Sequence, residues 1–215
     1  MFVKEIMKKK VISLKKHNTI ADALSLLHKH HIRHIPIVDD DQHLIGIVSD
    51  RDIRDASPSI LDSEINQALL DHTIDQIMSS PVVTTHPDEL FEEVANIFYE
   101  KEFACVPVVH QKKLIGMVTE KDLLYAFIQL TGTQGPSTRL EIRVPDRVGI
   151  LSDVSTFFSK RNIKIVSVYT YPTPQQSGFK ILVFRIQTMN PMNVIHDIKQ
   201  SKEFEVVTPM REDNE

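Results

Sequence analysis

Apolar and polar positions along the first part of the chain follow one pattern that is used twice. The stretch VKEIM at residues 3–7 recurs as IDQIM at 74–78, and Val11, Ile12 and Ser13 recur as Val82, Val83 and Thr84, all at an offset of 71. RHIPIV at 33–38 matches ACVPVV at 104–109 at the same offset, whereas LIGIVSDRDI at 44–53 matches LIGMVTEKDL at 114–123 at 70. The missing residue falls in a polar turn, where a length change costs least. Each copy is predicted to run strand, helix, strand, turn, strand, helix. Ile20, Ala23, Leu24 and Leu27 have helical spacing after a cap at Thr19, and Leu90, Val94, Ile97 and Phe98 after one expected at Asp88. Short apolar runs at 35–38 and 106–109, then 44–48 and 114–118, are the predicted strands. One copy would leave a sheet face uncovered, so the pattern implies two copies about a pseudo-twofold axis with two related clefts between them.

A second pattern begins after residues 131–137, a stretch with two glycines and no large apolar residue that reads as a linker. It predicts strand 139–144, helix 148–161, strands 163–171 and 179–188 around the turn PTPQQSG, helix 192–201 and strand 204–209, an order βαββαβ. Ile150, Leu151, Val154, Phe157 and Phe158 form the apolar stripe of the first helix, with Lys160, Arg161 and a left-handed Asn162 at its end. The predicted fold class is therefore α/β (α+β). The expected domains are 1–60, 61–130, a linker 131–137, 138–210, and a tail 211–215. A lone four-stranded sheet has open edges, which favours a homodimer.

Composition narrows the function. The 215 residues carry 25 Lys plus Arg against 29 Asp plus Glu, a formal charge of -4, with 41% hydrophobic residues and one cysteine. A single thiol makes no internal disulfide, and no apolar run approaches the roughly 20 residues that span a bilayer, so a cytoplasmic protein off the membrane is expected. The acidic balance argues against nucleic acid as a partner, and Lys8, Lys9 and Lys10 read as a solvated turn. Walker, GxSxG and GxGxxG motifs are absent, so no enzyme is expected. His28, His30, His31 and His34 invite a metal, yet no HExxH forms and the helix must end before Pro36, so none is expected. Cys105 reads as a buried small hydrophobe.

The doubled order of IM, then hPhV, then G-h-h-[Ser/Thr]-x-x-Asp resembles a tandem pair of CBS domains, the Bateman module, over residues 1–130. That resemblance implies an adenosine ligand such as AMP, ADP or ATP. Ser49 with Asp52 and Thr119 with Asp122 would grip ribose and phosphate, since a carboxylate accepts hydrogen bonds from two hydroxyls at once. Val11, Ile12, Ile35 and Pro36, or Val82, Val83, Val106 and Pro107, would surround the adenine, with Arg51 and Lys121 inside the two motifs. Arg33 and His34 resemble phosphate-contacting residues, and the second copy has Ala104 and Cys105 there, so the cleft holding Asp52 is expected to be the more charge-selective. The alternative reading makes Asp52 and Asp122 helix N-caps only.

Residues 146–151, DRVGIL, at the first turn of the βαββαβ segment resemble an ACT domain, with Val148 where proline is usual. The resemblance implies an amino acid or small metabolite bound between paired copies. Free amides near Ile150 and Leu151 would face its carboxylate, Gly149 would permit close approach, Asp146 would suit its ammonium, and Asn162 lies in the effector region. Alternatively, Gly149 relieves crowding and Asn162 ends a helix. The domain order is similar to that of acetoin utilisation proteins, which implies a regulatory sensor in acetoin or butanediol catabolism and sporulation. It would relay occupancy, without a cofactor, to an unidentified enzyme or regulator. The competing class is a dimeric scaffold or interaction module with no small-molecule ligand.

Overall fold

The computed structural model describes residues 1–56, 70–173 and 177–207. The boundary expected at 60/61, the middle of the PTPQQSG turn, the end of the strand expected to reach 209 and the tail 211–215 lie outside the described residues. The chain divides into two compact units, Met1–Leu124 and Tyr125–Glu215.

In the first unit, α1 (Val3–Ile6), β1 (Leu14–Lys15), α2 (Ile20–His30), β2 (His34–Val38), β3 (Leu44–Ser49) and α3 (Asp50–Ala56) make the first repeat. A 3-10 turn (Ile74–Gln76), α4 (Phe91–Lys101), β4 (Cys105–His110), β5 (Lys113–Thr119) and the start of α5 (Glu120–Thr131), which continues past Leu124 into the second unit, make the second. β1 runs parallel to β2, which pairs antiparallel with β3. β4 pairs antiparallel with β5, and Thr85 bridges Val108 in parallel where Leu14 meets Ile37 in the first repeat. Each five- or six-residue run between helices thus becomes a hairpin strand, with Ile35 and Ile37 or Val106 and Val108 fully buried on one face.

The two repeats exchange their leading arms. Phe2 bridges Leu90 and Lys8 bridges Met117, while Thr73 bridges Thr19 and Ser79 bridges Ile47, so each IM segment lies on the other repeat. Val3, Ile6 and Met7 pack with Val94, Phe98, Val106 and Val118, and Ile74, Ile77 and Met78 pack with Ile20, Leu27, Ile35 and Val48. This crossing accounts for both glycines of the repeated motif. A Cβ on Gly46 would come within 2.4 Å of Met78 Sδ, and one on Gly116 within 2.6 Å of Met7 Sδ. His43 bridges Lys113 where the hairpins meet on the pseudo-twofold axis.

Thr19 caps α2 in a capping box with Asp22, as the spacing indicated. The second repeat differs: Leu90 holds the N-cap position of α4 without a side-chain cap, and Asp88 instead pairs with Lys4 at 2.7 Å. Leu90 has left the apolar stripe because the arm at Phe2 crosses it there, and it is 45% exposed.

The second unit contains β6 (Thr138–Pro145), α6 (Ile150–Lys160), β7 (Lys164–Pro172), β8 (Phe179–Gln187), α7 (Met192–Gln200) and β9 (Glu205–Val206). Its antiparallel sheet has the order β7-β8-β6-β9, so the first strand ends up inside and the ferredoxin-like βαββαβ arrangement is realised. Leu140, Ile142, Val144, Phe184 and Ile186 meet Val154 and Phe158 of α6 and Val194 and Ile198 of α7 in one core. The stretch read as a linker is partly anchored: Thr131 closes α5, is buried, and its carbonyl accepts a bond from Ser167 Oγ at 2.7 Å.

Candidate functional site

The strand-to-helix junctions are built alike. Ser49 N and Ser49 Oγ both donate to Asp52 Oδ2 at 2.7 Å, and Asp52 N donates back to Ser49 Oγ at 3.1 Å. Thr119 N and Oγ1 donate to Asp122 Oδ2 at 2.9 and 2.5 Å. The hydroxyl residue is therefore the N-cap and the aspartate the third helical residue that reaches back, not the cap itself. One carboxylate oxygen is consumed in each case; Asp122 Oδ1 lies 3.8 Å from Lys8 Nζ.

A cavity of about 390 Å³ lies beside the second junction. Lys8, Lys10, Val11 and Ile12 line it from the exchanged arm, Arg33 and His34 from the start of β2, and Ala104, Cys105, Met117, Thr119, Glu120 and Lys121 from the second repeat. The grouping differs from the sequence-based one. Arg33 and His34 line the cavity together with Thr119 and Lys121 while remaining at their own junction: His34 pairs with Ser49 across β2 and β3, and Asp50 N donates to Arg33 O at 2.9 Å. Lys8, Lys10 and Lys121 add charge on the Asp122 side of this cavity.

Other expected residues lie elsewhere. Ile35 and Val106 are fully buried on one face of their hairpins and Pro36 and Pro107 are buried on the other, and none of the four lines the cavity. Arg51 is exposed and lies 3.7 Å from Asp55. Val82 lines a separate cavity of about 620 Å³ at the hairpin turns, with Asp39, His43, Ser80 and Lys112, and Val83 is 42% exposed. Sequence reasoning missed Lys8 and Lys10, whose partner positions at the repeat offset are Ser79 and Pro81; that asymmetry was the available signal.

Burial lowers the pKa of His34 below its ordinary 6.5, more than Asp50, Asp52 and Glu120 raise it, with Arg33 adding to the decrease. It is a neutral imidazole near neutral pH. Burial also pushes the Cys105 thiol up to about 12, so it lines the cavity as an unreactive apolar group. His28 and His30 end α2, and His31 is its left-handed C-cap at φ 51°. Asp39, Asp41 and His43 bring ligand atoms within 4.8 Å of one another, but Asp39 already accepts bonds from the Asp41 and His43 amides.

In the second unit, Gly149 is the N-cap of α6 at φ 83°, and no side chain caps the helix. A Cβ there would meet nothing within 4 Å, so the residue is required by its left-handed backbone and relieves no crowding. Val148 is 98% exposed, Leu151 46%, and Ile150 sits in the core. Asp146 pairs with Lys180 at 2.8 Å, which occupies the carboxylate expected to face an ammonium group. Asn162 takes φ 53° just past α6 and stops it.

Comparison with known proteins agrees with these two architectures. The CBS domain model matches residues 3–59 and 74–129, and the ACT domain model matches 138–193. The chain belongs to the CBS domain family and carries a C-terminal ACT domain. The CBS domain pair of protein MJ0100, solved in complex with 5'-methylthioadenosine and S-adenosyl-L-methionine, is 34% identical, with a TM-score of 0.51 over 59% of this chain and 95% of that one. CBSX2 in complex with AMP is 26% identical, with a TM-score of 0.52 over 60% and 96%. An acetoin utilization protein from Vibrio cholerae, provisionally assigned as AcuB, is 27% identical, with a TM-score of 0.54 over 63% and 98%. L-aspartate semialdehyde sulfurtransferase of Methanocaldococcus jannaschii is 34% identical over 58% of this chain, which spans 23% of that enzyme. No helix among the described residues is long and apolar enough to cross a membrane.

Proposed function

We propose that the chain is a non-enzymatic regulatory protein whose first unit senses a phosphorylated adenosine, AMP, ADP or ATP. The observation that carries this reading is the cavity wall formed by Lys8, Lys10, Arg33 and Lys121, four cations set against the single carboxylate of Glu120. Charge-assisted bonds to phosphate are about twice as strong as neutral ones, so such a wall favours an anion over a sulfonium cation. Of the two ligand classes held by the similar domain pairs, this cavity suits AMP better than S-adenosyl-L-methionine. Val11, Ile12 and Met117 supply apolar flanks for the base, and Asp122 Oδ1, 3.8 Å from Lys8 Nζ, is the oxygen a ribose hydroxyl would reach. Calorimetry should give at least tenfold tighter binding of AMP than of adenosine or S-adenosyl-L-methionine. Equal affinities would sink the reading.

The uncapped start of α6, with open space at Gly149, supports an amino-acid carboxylate as the ligand of the second unit. Sensing requires that each ligand bind one conformation better than another, so the proposed output is a shift in how a homodimer engages an enzyme or regulator. The likeness of the first unit to the Vibrio cholerae acetoin utilization protein supports a role in acetoin use, and butanediol use and sporulation are part of the same proposal without support of their own. Growth of a deletion strain on acetoin tests it. The scaffold reading draws on Asp52 and Asp122 each spending an oxygen on its own helix start, and absence of any nucleotide binding would favour it.

A further inference from the structure

Two histidines of the second repeat meet outside the nucleotide cavity. His86 Nε2 lies 3.2 Å from His110 Nδ1, with ring centroids 5.3 Å apart and planes inclined by 53°. Two nitrogens on one tetrahedral zinc ion, each about 2.0–2.1 Å from it, stand about 3.3 Å apart. The bite is set by the backbone: Thr85 N donates to Pro107 O and Val109 N to Thr85 O, both at 3.0 Å, so the residues that follow are held side by side. Both rings are exposed, leaving room for water in the remaining coordination positions.

The surroundings suit a cation. Asp88 Oδ2 lies 3.9 Å from His86 Nδ1, the ring nitrogen facing away from His110. Histidines that ligate metals commonly donate their second N–H to such a carboxylate. In the metal-free state Asp88 N donates to His86 Nδ1 at 3.3 Å, so the His86 proton sits on Nε2 and points to His110. On metal binding that proton moves to Nδ1, the Asp88 N bond to Nδ1 is given up, and the new N–H turns to Asp88 Oδ2, whose companion Oδ1 stays paired with Lys4; both imidazoles stay neutral and no net proton is released. Glu89 adds a second carboxylate nearby, accepting a bond from His86 N at 3.2 Å. The first repeat has Lys15 and Asp39 at the related positions, and Lys15 there pairs with Asp40. An ion pair fastens that corner, so a histidine pair is not needed to hold the fold.

We propose that His86 and His110 form a site for a borderline divalent transition ion of the zinc class. Equilibrium dialysis of the full chain against Zn²⁺ should load one ion per chain, with Co²⁺ substitution giving the visible absorption of a nitrogen-ligated site. His86→Ala and His110→Ala should each weaken loading at least tenfold, and Asp88→Asn about tenfold, because loss of an orienting carboxylate typically costs 10–100-fold. His43→Ala, in the turn that also holds Asp39 and Asp41, should leave loading intact. No binding in the wild type, loading that survives in the His86→Ala/His110→Ala double variant, or loss on His43→Ala alone would overturn the assignment. Circular dichroism of each variant separates lost ligation from lost folding.

Discussion

The two clefts expected from one duplicated pattern are unlike in charge. Lys8, Lys10, Arg33 and Lys121 line the cavity beside Asp122. The repeat offsets carry Lys8, Lys10 and Lys121 to Ser79, Pro81 and Arg51, and Glu102 stands at the offset of His31, while Ala104, the counterpart of Arg33, lines this same cavity. Duplication supplied one backbone frame with two ribose-type junctions of the same geometry. Side-chain divergence then made one of them strongly cationic. On the proposed reading, the motif Ser/Thr-x-x-Asp marks where a ligand would sit, and charge from the other repeat's arm would decide which ligand is held.

The sharpest way to break this comparison is to move the charge. Arg33→Ala should weaken AMP by roughly 10–100-fold, the equivalent of one charged hydrogen bond worth about 1.5–3 kcal/mol. Adenosine should bind nearly unchanged. Ala104→Arg, on the wall of the same cavity, should tighten AMP without tightening adenosine. Calorimetry on both variants checks the pair, and equal losses for AMP and adenosine on Arg33→Ala would mean that the side chain shapes the cavity rather than reading charge.

A second contrast tests the exchanged arms. A Cβ at Gly46 meets only the Met78 side chain, which can swing aside, whereas one at Gly116 also comes within 3.2 Å of the Lys8 carbonyl. Gly116→Ala should therefore cost about 1–3 kcal/mol, as overpacking does, and Gly46→Ala less. Because Lys8 lies on the cavity wall, Gly116→Ala should also weaken AMP while Gly46→Ala spares it. Urea denaturation and the same calorimetry read both effects. A smaller effect of about 1 kcal/mol is expected from Ser49→Ala, whose hydroxyl caps α3 by accepting from Asp52 N, and a lesser one from Thr119→Ala, whose hydroxyl donates to Asp122 Oδ2.

Much of the frame was legible because periodicity alone fixes it. The offset of 71 located both hairpins, and the βαββαβ spacing located the sheet and helices of the second unit. What the sequence could not show was partner choice. Val3–Met7 and Ile74–Met78 are equally apolar, so pattern matching assigns each to the repeat that follows it, while the fold lays each on the other. That single exchange moved Lys8 and Lys10 from a supposed solvated turn to the cavity that Arg33 and Thr119 also line. Asp88 misled as a cap for a related reason: its partner, Lys4, arrives from the crossing arm. The Ser49–Asp52 and Thr119–Asp122 motifs were legible as junctions, but three-residue spacing leaves open which member caps the helix.

The smallest expected effect sharpens the comparison through pH. His34 lines the cationic cavity, and its folded-state pKa is depressed below 6.5, chiefly by burial. As pH falls below about 6.5 the unfolded chain takes up this proton before the folded one, so the ligand-free protein loses stability on acidification through this residue. A phosphate dianion in the cavity reverses the balance by favouring the imidazolium, and bound protein then takes up the proton instead. The stabilisation that AMP gives should grow as pH drops from about 7.5 to 6.5, by no more than about tenfold in affinity, the limit for one proton per pH unit. AMP itself becomes protonated near pH 6, about the second pKa of a phosphate monoester, which works the other way. The informative quantity is therefore the wild-type slope minus that of His34→Gln, measured in the same buffers. A negative difference in the logarithm of affinity against pH assigns proton uptake to His34, and no difference would leave its burial without a part in ligand binding.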